Sequence, residues 1–128
     1  AKKIKNLLLL GYHGKLIKLA GGVFHTHNHL ADARIEILVY LAFKLKVPEP
    51  IINKFLECET IESALKIAEK FDPKIANDLW IAITNQIEIR SNHYVSKYLS
   101  SEMRIGVGLF DKSRQIRWKG FNGKAMFS

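Results

Sequence analysis

The sequence predicts an α/β fold in which a small sheet of about three strands is flanked by four or five helices. Short apolar runs beside glycine or turn residues, at residues 4–10, 103–110 and 115–119, have the length of strands. Between the first two runs, apolar residues recur every three or four positions, the period of amphipathic helices. With 128 residues the chain has the size of one domain. We expect a single α/β domain over residues 1–120 and a loose tail over 121–128.

The clearest helix is predicted over residues 30–47, where apolar residues form one face and Arg34 falls in the middle of them. Asp32 and Glu36, four positions apart, lie together on the opposite side. Proline ends this helix at Pro48. Shorter helices are predicted over 51–56 and 60–71, and a longer one over 74–90 after an Asp72 cap and Pro73, with a break at Ser91-Asn92 before residues 93–99.

In the strand at residues 103–110, Gly106 and Gly108 lie two positions apart and therefore on one face. Without side chains there, another backbone or a ligand can approach the strand closely. In the long helix that precedes this strand, Trp80 and the isoleucine and leucine residues are predicted to form the core and not a cofactor site.

The composition narrows the function only in part. The net charge of +8 favours an anionic partner, which is a nucleic acid, a phosphate compound or a polycarboxylate. The single cysteine, Cys58, excludes a disulfide framework and a cysteine-based metal knuckle. The longest apolar run, residues 37–43, is far shorter than the ~20 residues that cross a bilayer. We therefore expect a cytoplasmic protein without a membrane partner.

The first strand is followed by Gly11-Tyr12-His13-Gly14-Lys15 and a short helix. Such a junction can present backbone N–H groups and a positive helix end to an anion, with Lys15 adding a charge. The sequence is neither G-x-G-x-x-G nor a P-loop. A tight turn that uses glycine for its positive φ explains the same residues equally well.

Three histidines lie close together in His25-Thr26-His27-Asn28-His29. In an extended segment all three point one way, whereas in a helix only His25 and His29 share a face. Imidazoles on one side suit zinc ligation or general base catalysis, and a structural role is the alternative. Arg34 either pairs with a buried carboxylate or lines a pocket for an anion. Asp32 and Glu36 either form a solvated helix face or face a cationic group.

Residues 11–38, GYHGKLIKLAGGVFHTHNHLADARIEIL, closely resemble the C-terminal part of the CbiD-type cobalt-precorrin-5B C-methyltransferase family. The matching pattern is G-x-x-G-K-L-x-K-L-A, then T-H, then A-D-x-R-x-E. The resemblance implies an enzyme that moves a methyl group from S-adenosylmethionine to ring carbon C-1 of a cobalt-corrin precursor in cobalamin biosynthesis. Family members carry an additional N-terminal domain, so the chain is expected to be the C-terminal part of a larger two-domain protein.

The resemblance also implies residue roles. His27, His25 and Asp32 are the expected catalytic residues, with a histidine removing a proton from the ring system or orienting the acceptor. The carboxylates of the corrin are expected to meet Lys15, Arg34 and His13. Gly11, Gly14 and Glu36 are expected to contact the donor, whose sulfonium is a cation. Besides the corrin, the N-terminal domain is the expected partner, with no metal and no nucleic acid.

Two other functions are compatible with parts of the sequence. His25-x-His27 has a spacing that metal-dependent hydrolases use, although the chain is too short for a complete (β/α)₈ barrel. The net positive charge alone suggests a nucleic-acid-binding module, but the chain lacks the interleaved aromatic and basic residues of single-strand binders.

Overall fold

The computed structural model describes residues 5–22, 33–98 and 103–127, and these residues form a three-stranded sheet and six helices. The α/β prediction is therefore confirmed. The elements follow one another as β1 (Lys5–Tyr12), α1 (His13–Ala20), α2 (Arg34–Lys44), α3 (Glu49–Leu56), α4 (Ile61–Phe71), α5 (Pro73–Tyr98), β2 (Met103–Phe110), β3 (Ile116–Lys119) and α6 (Phe121–Phe127). None of the helices in these ranges has the length and hydropathy needed to cross a membrane.

The sheet has the strand order β1-β2-β3. β1 and β2 are parallel and in register from Lys5 opposite Met103 to Tyr12 opposite Phe110, so their carboxyl ends meet at one edge. β3 runs antiparallel to β2 and pairs with its last three residues only, with an irregularity at Leu109/Phe110. The helices α1 to α5 form the long crossover that a parallel pair of strands requires.

The core is built around helix α5, which packs against α1, α2 and α4 as well as against the sheet. The side chains of α5 that face it include Trp80, which is fully buried as predicted. Helix α5 is continuous through Ser91-Asn92, so the predicted break at that position is wrong. Ser91 is buried, and the amide of Asn92 bonds Ile105 N (2.8 Å) and Ile105 O (3.0 Å) of β2. The Asn92 side chain thus joins the helix to the sheet, and neither residue interrupts the helix.

The chain after residue 120 forms helix α6, and the expectation of a loose tail is wrong there. The first three N–H groups of α6 donate to side chains of α5: Phe121 N to Asn85 Oδ1, Asn122 N to Glu88 Oε1 and Gly123 N to Glu88 Oε2. Because these donors have no partner inside the helix, such acceptors stabilise its start. Helix α6 thus depends on residues about 35 positions earlier in the chain.

The glycines of β2 allow α6 to pack closely on the sheet. A Cβ on Gly106 would lie 2.8 Å from Gly123 N, and a Cβ on Gly123 would overlap the Val107 carbonyl oxygen. The predicted close approach of another backbone at Gly106 is therefore confirmed. Beyond the end of β3, side chains of α5 bond the backbone of β2. For example, Val107 N donates to Glu88 Oε2 (2.8 Å).

Candidate functional site

Ionisable side chains from four elements gather at the edge where β1 and β2 end. Tyr12 and His13 come from the junction of β1 and α1, Glu62 from the first turn of α4, Asp111 from the turn after β2, and Arg117 from β3. In α/β sheets ligands collect outside the carboxyl ends of the strands. This edge, formed by these five residues and called here the strand-end cluster, is the candidate site among the described residues.

His13 is completely enclosed in the strand-end cluster, with no exposed surface. Trp80 Nε1 donates to His13 Nδ1 at 3.0 Å, which assigns the proton of the neutral ring to Nε2. Nε2 faces Glu62 Oε1 at 3.5 Å. Burial lowers the pKa of His13 more than the Glu62 charge raises it, so the ring is neutral at pH 7. The predicted substrate-binding residue His13 thus packs against both Trp80 and Trp118, and direct contact with a substrate would require this packing to open.

Glu62 connects the strand ends to helix α4. Thr60 caps this helix by accepting from Ser63 N (3.1 Å), which places Glu62 in the first turn. Its buried carboxylate faces His13, and its Oε1 lies 3.4 Å from the donor Lys112 N. Burial and the adjacent Glu62, which also bonds the phenol, raise the pKa of Tyr12.

Sequence reasoning did not identify Glu62, because an acidic residue in the first turn of an amphipathic helix is usually solvated. A signal was present in the spacing. Glu62 and Glu69 lie seven positions apart and share a helix face with buried Leu65, so two carboxylates border an apolar position. Both of them reach the strand-end region, Glu62 at His13 and Glu69 at Arg117.

Arg117 closes the outer side of the cluster. Its guanidinium donates to Asp111 Oδ2 and to Glu69 Oε2, both at 2.8 Å, and lies 4.4 Å from the centroid of the Trp118 ring. Asp111 also accepts from Ser113 N (2.9 Å) and Ser113 Oγ (2.6 Å). Burial raises the pKa of Asp111, but the hydrogen bonds from Ser113 and Arg117 outweigh it and lower the pKa to about 2. The carboxylate is therefore charged at pH 7.

We expect Asp111→Asn to lower the free energy of unfolding by about 1 kcal/mol at pH 7, a value reduced for solvent screening. Because the folded-state pKa lies below the ordinary value of 3.8, this contribution is present above that pH and is lost as pH falls through about 2. Denaturant titrations from pH 7 to pH 2 should show the difference from wild type shrinking below about pH 4. Asp78→Asn, at an exposed position of α5, is the control. A difference that does not change with pH would contradict the assignment.

The structure brings three of the predicted residues together beside the cluster. Arg34 Nη1 donates to the carbonyl oxygen of Gly14 at 3.3 Å, which joins the start of α2 to the first turn of α1. Lys15 is exposed in that same turn. No acidic residue lies in the first turn of α1, but Glu62 and Asp111 act on Tyr12 from the neighbouring elements, as Arg34 does. Glu36 is exposed on α2.

The predicted glycine loop is absent from the structure, because β1 passes directly into α1: Gly11 belongs to the strand and Gly14 to the first turn of the helix, and each packs against a nearby side chain. A Cβ on Gly11 would lie 2.6 Å from Leu16 Cδ1, and a Cβ on Gly14 would lie 2.6 Å from Tyr12 Cε2. Among the glycines of the described ranges, the positive φ belongs to Gly22 and not to these two. Gly11 and Gly14 therefore admit the Leu16 and Tyr12 side chains, and the space above them is already filled.

The predicted catalytic residues His25, His27 and Asp32 lie outside the described residues, as does His29. Their assignments stay predictions. Within the ranges 5–22, 33–98 and 103–127, no three histidine, cysteine, aspartate or glutamate side chains are grouped so that they could hold a metal ion.

Comparison with known proteins identifies relatives over nearly the whole chain. Cobalt-precorrin-5B C(1)-methyltransferases of Prochlorococcus marinus are 54% identical over 127 residues in strain MED4, 52% over 127 residues in strain MIT 9515 and 45% over 120 residues in strain MIT 9303. These matches cover 99%, 99% and 94% of this chain and 34%, 34% and 31% of the relatives. The chain thus spans about a third of the length of these relatives.

No solved structure matches the chain significantly. Nothing in the comparisons supports the hydrolase or the nucleic-acid-binding module. A family model described as the C-terminal domain of CbiD matches residues 25–120, three quarters of the chain. The chain therefore belongs to the CbiD C-terminal domain family.

Proposed function

We propose that this chain is part of an enzyme that transfers a methyl group to ring carbon C-1 of a cobalt-precorrin in cobalamin biosynthesis. The observation that carries the proposal is the 54% identity to a cobalt-precorrin-5B C(1)-methyltransferase across 99% of the chain. Because that relative is about three times as long, we attribute the complete activity to a longer polypeptide that includes an N-terminal domain.

The substrate of such an enzyme is a tetrapyrrole-derived ring with several carboxylates. Two basic side chains near the start of α1 suit such a ligand, since Lys15 is exposed there and the Arg34 guanidinium lies next to Gly14. The helix dipole of α1 contributes in the same direction. We propose that these two side chains bind peripheral carboxylates and that His13, itself enclosed, positions Tyr12 and Glu62 behind them.

The proposed methyl donor is S-adenosylmethionine, which supplies an activated methyl group on a sulfonium. Gly11 in β1 and Gly14 in α1 do not form a cradle for it, because the Leu16 and Tyr12 side chains fill the space next to them. We derive no step from these glycines. The proposal places the donor near Asp32 and Glu36, whose carboxylates suit a cation, and assigns proton uptake or acceptor orientation to His27 and His25.

Calorimetric titration with S-adenosylhomocysteine tests the donor assignment. We expect Asp32→Ala to weaken binding by about tenfold, through loss of a carboxylate near the cation, and Asp78→Ala at an exposed position to leave it unchanged. The titration is run on this chain and on a full-length polypeptide in which the chain replaces the matching third of the MED4 relative. If Asp32→Ala binds S-adenosylhomocysteine as tightly as Asp78→Ala does, the assignment of Asp32 is contradicted. If neither the wild-type chain nor the full-length polypeptide binds it, the proposal of S-adenosylmethionine as the donor is contradicted.

A further inference from the structure

Among residues 5–22, 33–98 and 103–127, one edge of the sheet is covered by side chains of α5 and the other edge has no strand beside it. On the β3 side, the backbone N–H and C=O of Ile105 bond the Asn92 side chain, and the N–H of Val107 donates to Glu88, because β3 does not extend to these residues. On the opposite side lies β1, and no strand of the described ranges pairs with its outer edge. Soluble proteins usually protect such an edge with charged residues, proline, a bulge or a covering segment.

The sequence of β1 has none of the protective residues at its centre. It reads KNLLLLGY, with four consecutive leucines and no proline, and its pairing with β2 is regular over all eight residues. A regular apolar strand of this length is a template for another strand. Side chains of α5 satisfy the backbone groups of β2 that β3 leaves unpaired. The outer edge of β1 has no such partner strand among the described residues.

Two leucines of β1 show which kind of partner fits. Leu7 is 48% exposed and Leu10 is 47% exposed. Leu7 stands opposite the buried residue Ile105, whereas Leu10 stands opposite Gly108 on the face that α6 contacts. The two side chains therefore lie on opposite faces of the sheet. A helix laid on one face could cover only one of them, but a strand added beside β1 places its side chains against both.

We propose that β1 is an interior strand of a larger sheet, and that the adjacent strand comes from the two thirds of the polypeptide that the relatives have and this chain does not span. The family model begins at residue 25, beyond β1 and α1, yet the MED4 relative matches over 127 residues. β1 therefore lies outside the residues that the C-terminal domain model matches but within the part of the chain that aligns with the MED4 relative. The added strand carries apolar residues on both faces. This proposal does not depend on the methyl-transfer chemistry.

Hydrogen exchange tests the proposal in the full-length hybrid, in which this chain replaces the matching third of the MED4 relative. Amides of β1 that point away from β2 should exchange rapidly in this chain alone and at least about tenfold more slowly in the hybrid. The natural relative, compared with its own matching fragment, gives a second measurement that does not depend on the hybrid. Equal exchange in the short and long forms of both pairs, measured at a concentration where the short chain is monomeric, would overturn the proposal.

Charged side chains on β1 provide the matched variants. In the hybrid, Leu7→Lys combined with Leu10→Lys should restore rapid exchange of the β1 amides, because lysines at both faces oppose burial by the added strand. The control is Leu45→Lys combined with Leu56→Lys, since these leucines are 44% and 56% exposed and lie outside β1. In this chain alone, both double variants should keep the circular dichroism of wild type. Retained protection in the first double variant of the hybrid would overturn the proposal.

Discussion

Replacing Glu88 with alanine is expected to lower the free energy of unfolding by about 4 kcal/mol, the largest effect of any single polar substitution proposed for this chain. The Glu88 carboxylate is buried and accepts from Val107 N, Asn122 N and Gly123 N, each at 2.8 Å. Alanine would leave all three donors without this acceptor. Because two of them begin α6, the helix should detach from the sheet, and Tm should fall by roughly 15 °C.

One further variant separates the hydrogen-bond acceptors of Glu88 from its size, and a second variant is the control. Glu88→Gln keeps the side-chain volume but replaces one accepting oxygen with an NH₂ donor, so its cost should fall between wild type and alanine. Glu59→Ala, at an exposed position, should change stability by less than about 0.5 kcal/mol. Urea titrations monitored by circular dichroism measure all three. A cost below about 1 kcal/mol for Glu88→Ala would contradict the role assigned to the carboxylate.

Replacing Trp80 with alanine is expected to lower the free energy of unfolding by about 4 kcal/mol. The indole is fully buried on α5, and its ring lies 5.8 Å from that of His13 and 5.8 Å from that of Trp118. Removing it leaves a large cavity behind the strand-end cluster and takes away the donor to His13 Nδ1. Chemical denaturation with fluorescence of the remaining tryptophan, Trp118, measures the loss.

Trp80→Phe separates the hydrogen bond from the packing. Phenylalanine retains much of the volume but leaves His13 Nδ1 buried without its donor, at a cost of about 1–3 kcal/mol. Phe43→Ala removes an aromatic side chain that is exposed on α2 and should cost less than about 0.5 kcal/mol. If Trp80→Phe is as stable as wild type, the hydrogen bond to His13 contributes nothing measurable.

The sequence predicts the parts of the fold that depend on local patterns. Apolar period and capping residues place most helices, and Asp72 Oδ1 accepts from Lys74 N (2.9 Å) at the predicted start of α5. The spacing of Gly106 and Gly108 predicts a close backbone contact, which α6 provides. In each of these cases the physical cause lies within a few residues of its effect.

The errors arise where a distant residue decides the local structure. Helix α6 has seven residues, too few to be stable on its own, and forms because Glu88 accepts from its first turn. Asn92 suggested a break in α5, yet its amide bonds β2.

The candidate site shows the same limit. The sequence analysis considered a buried carboxylate or an anionic ligand as the partner of Arg34. In the structure Arg34 also donates to the carbonyl oxygen of Gly14, which is near because α1 packs on α2. The enclosure of His13 by two tryptophans depends on contacts with residues 67 positions or more away, so local spacing could not reveal it. The roles of His25, His27 and Asp32 stay predictions.

The pairing of the parallel strands also determines when the sheet can form during translation. Lys5 pairs with Met103, so β1 can pair with β2 only after almost a hundred further residues have been synthesised. At ordinary rates of translation that interval is roughly 5–20 s. The helices between them have local contacts and can form during that time, whereas the sheet forms last because β2 and β3 are synthesised after α5. Of the three strands described here, β1 is therefore made first, and its leucines wait longest for the pairing with β2.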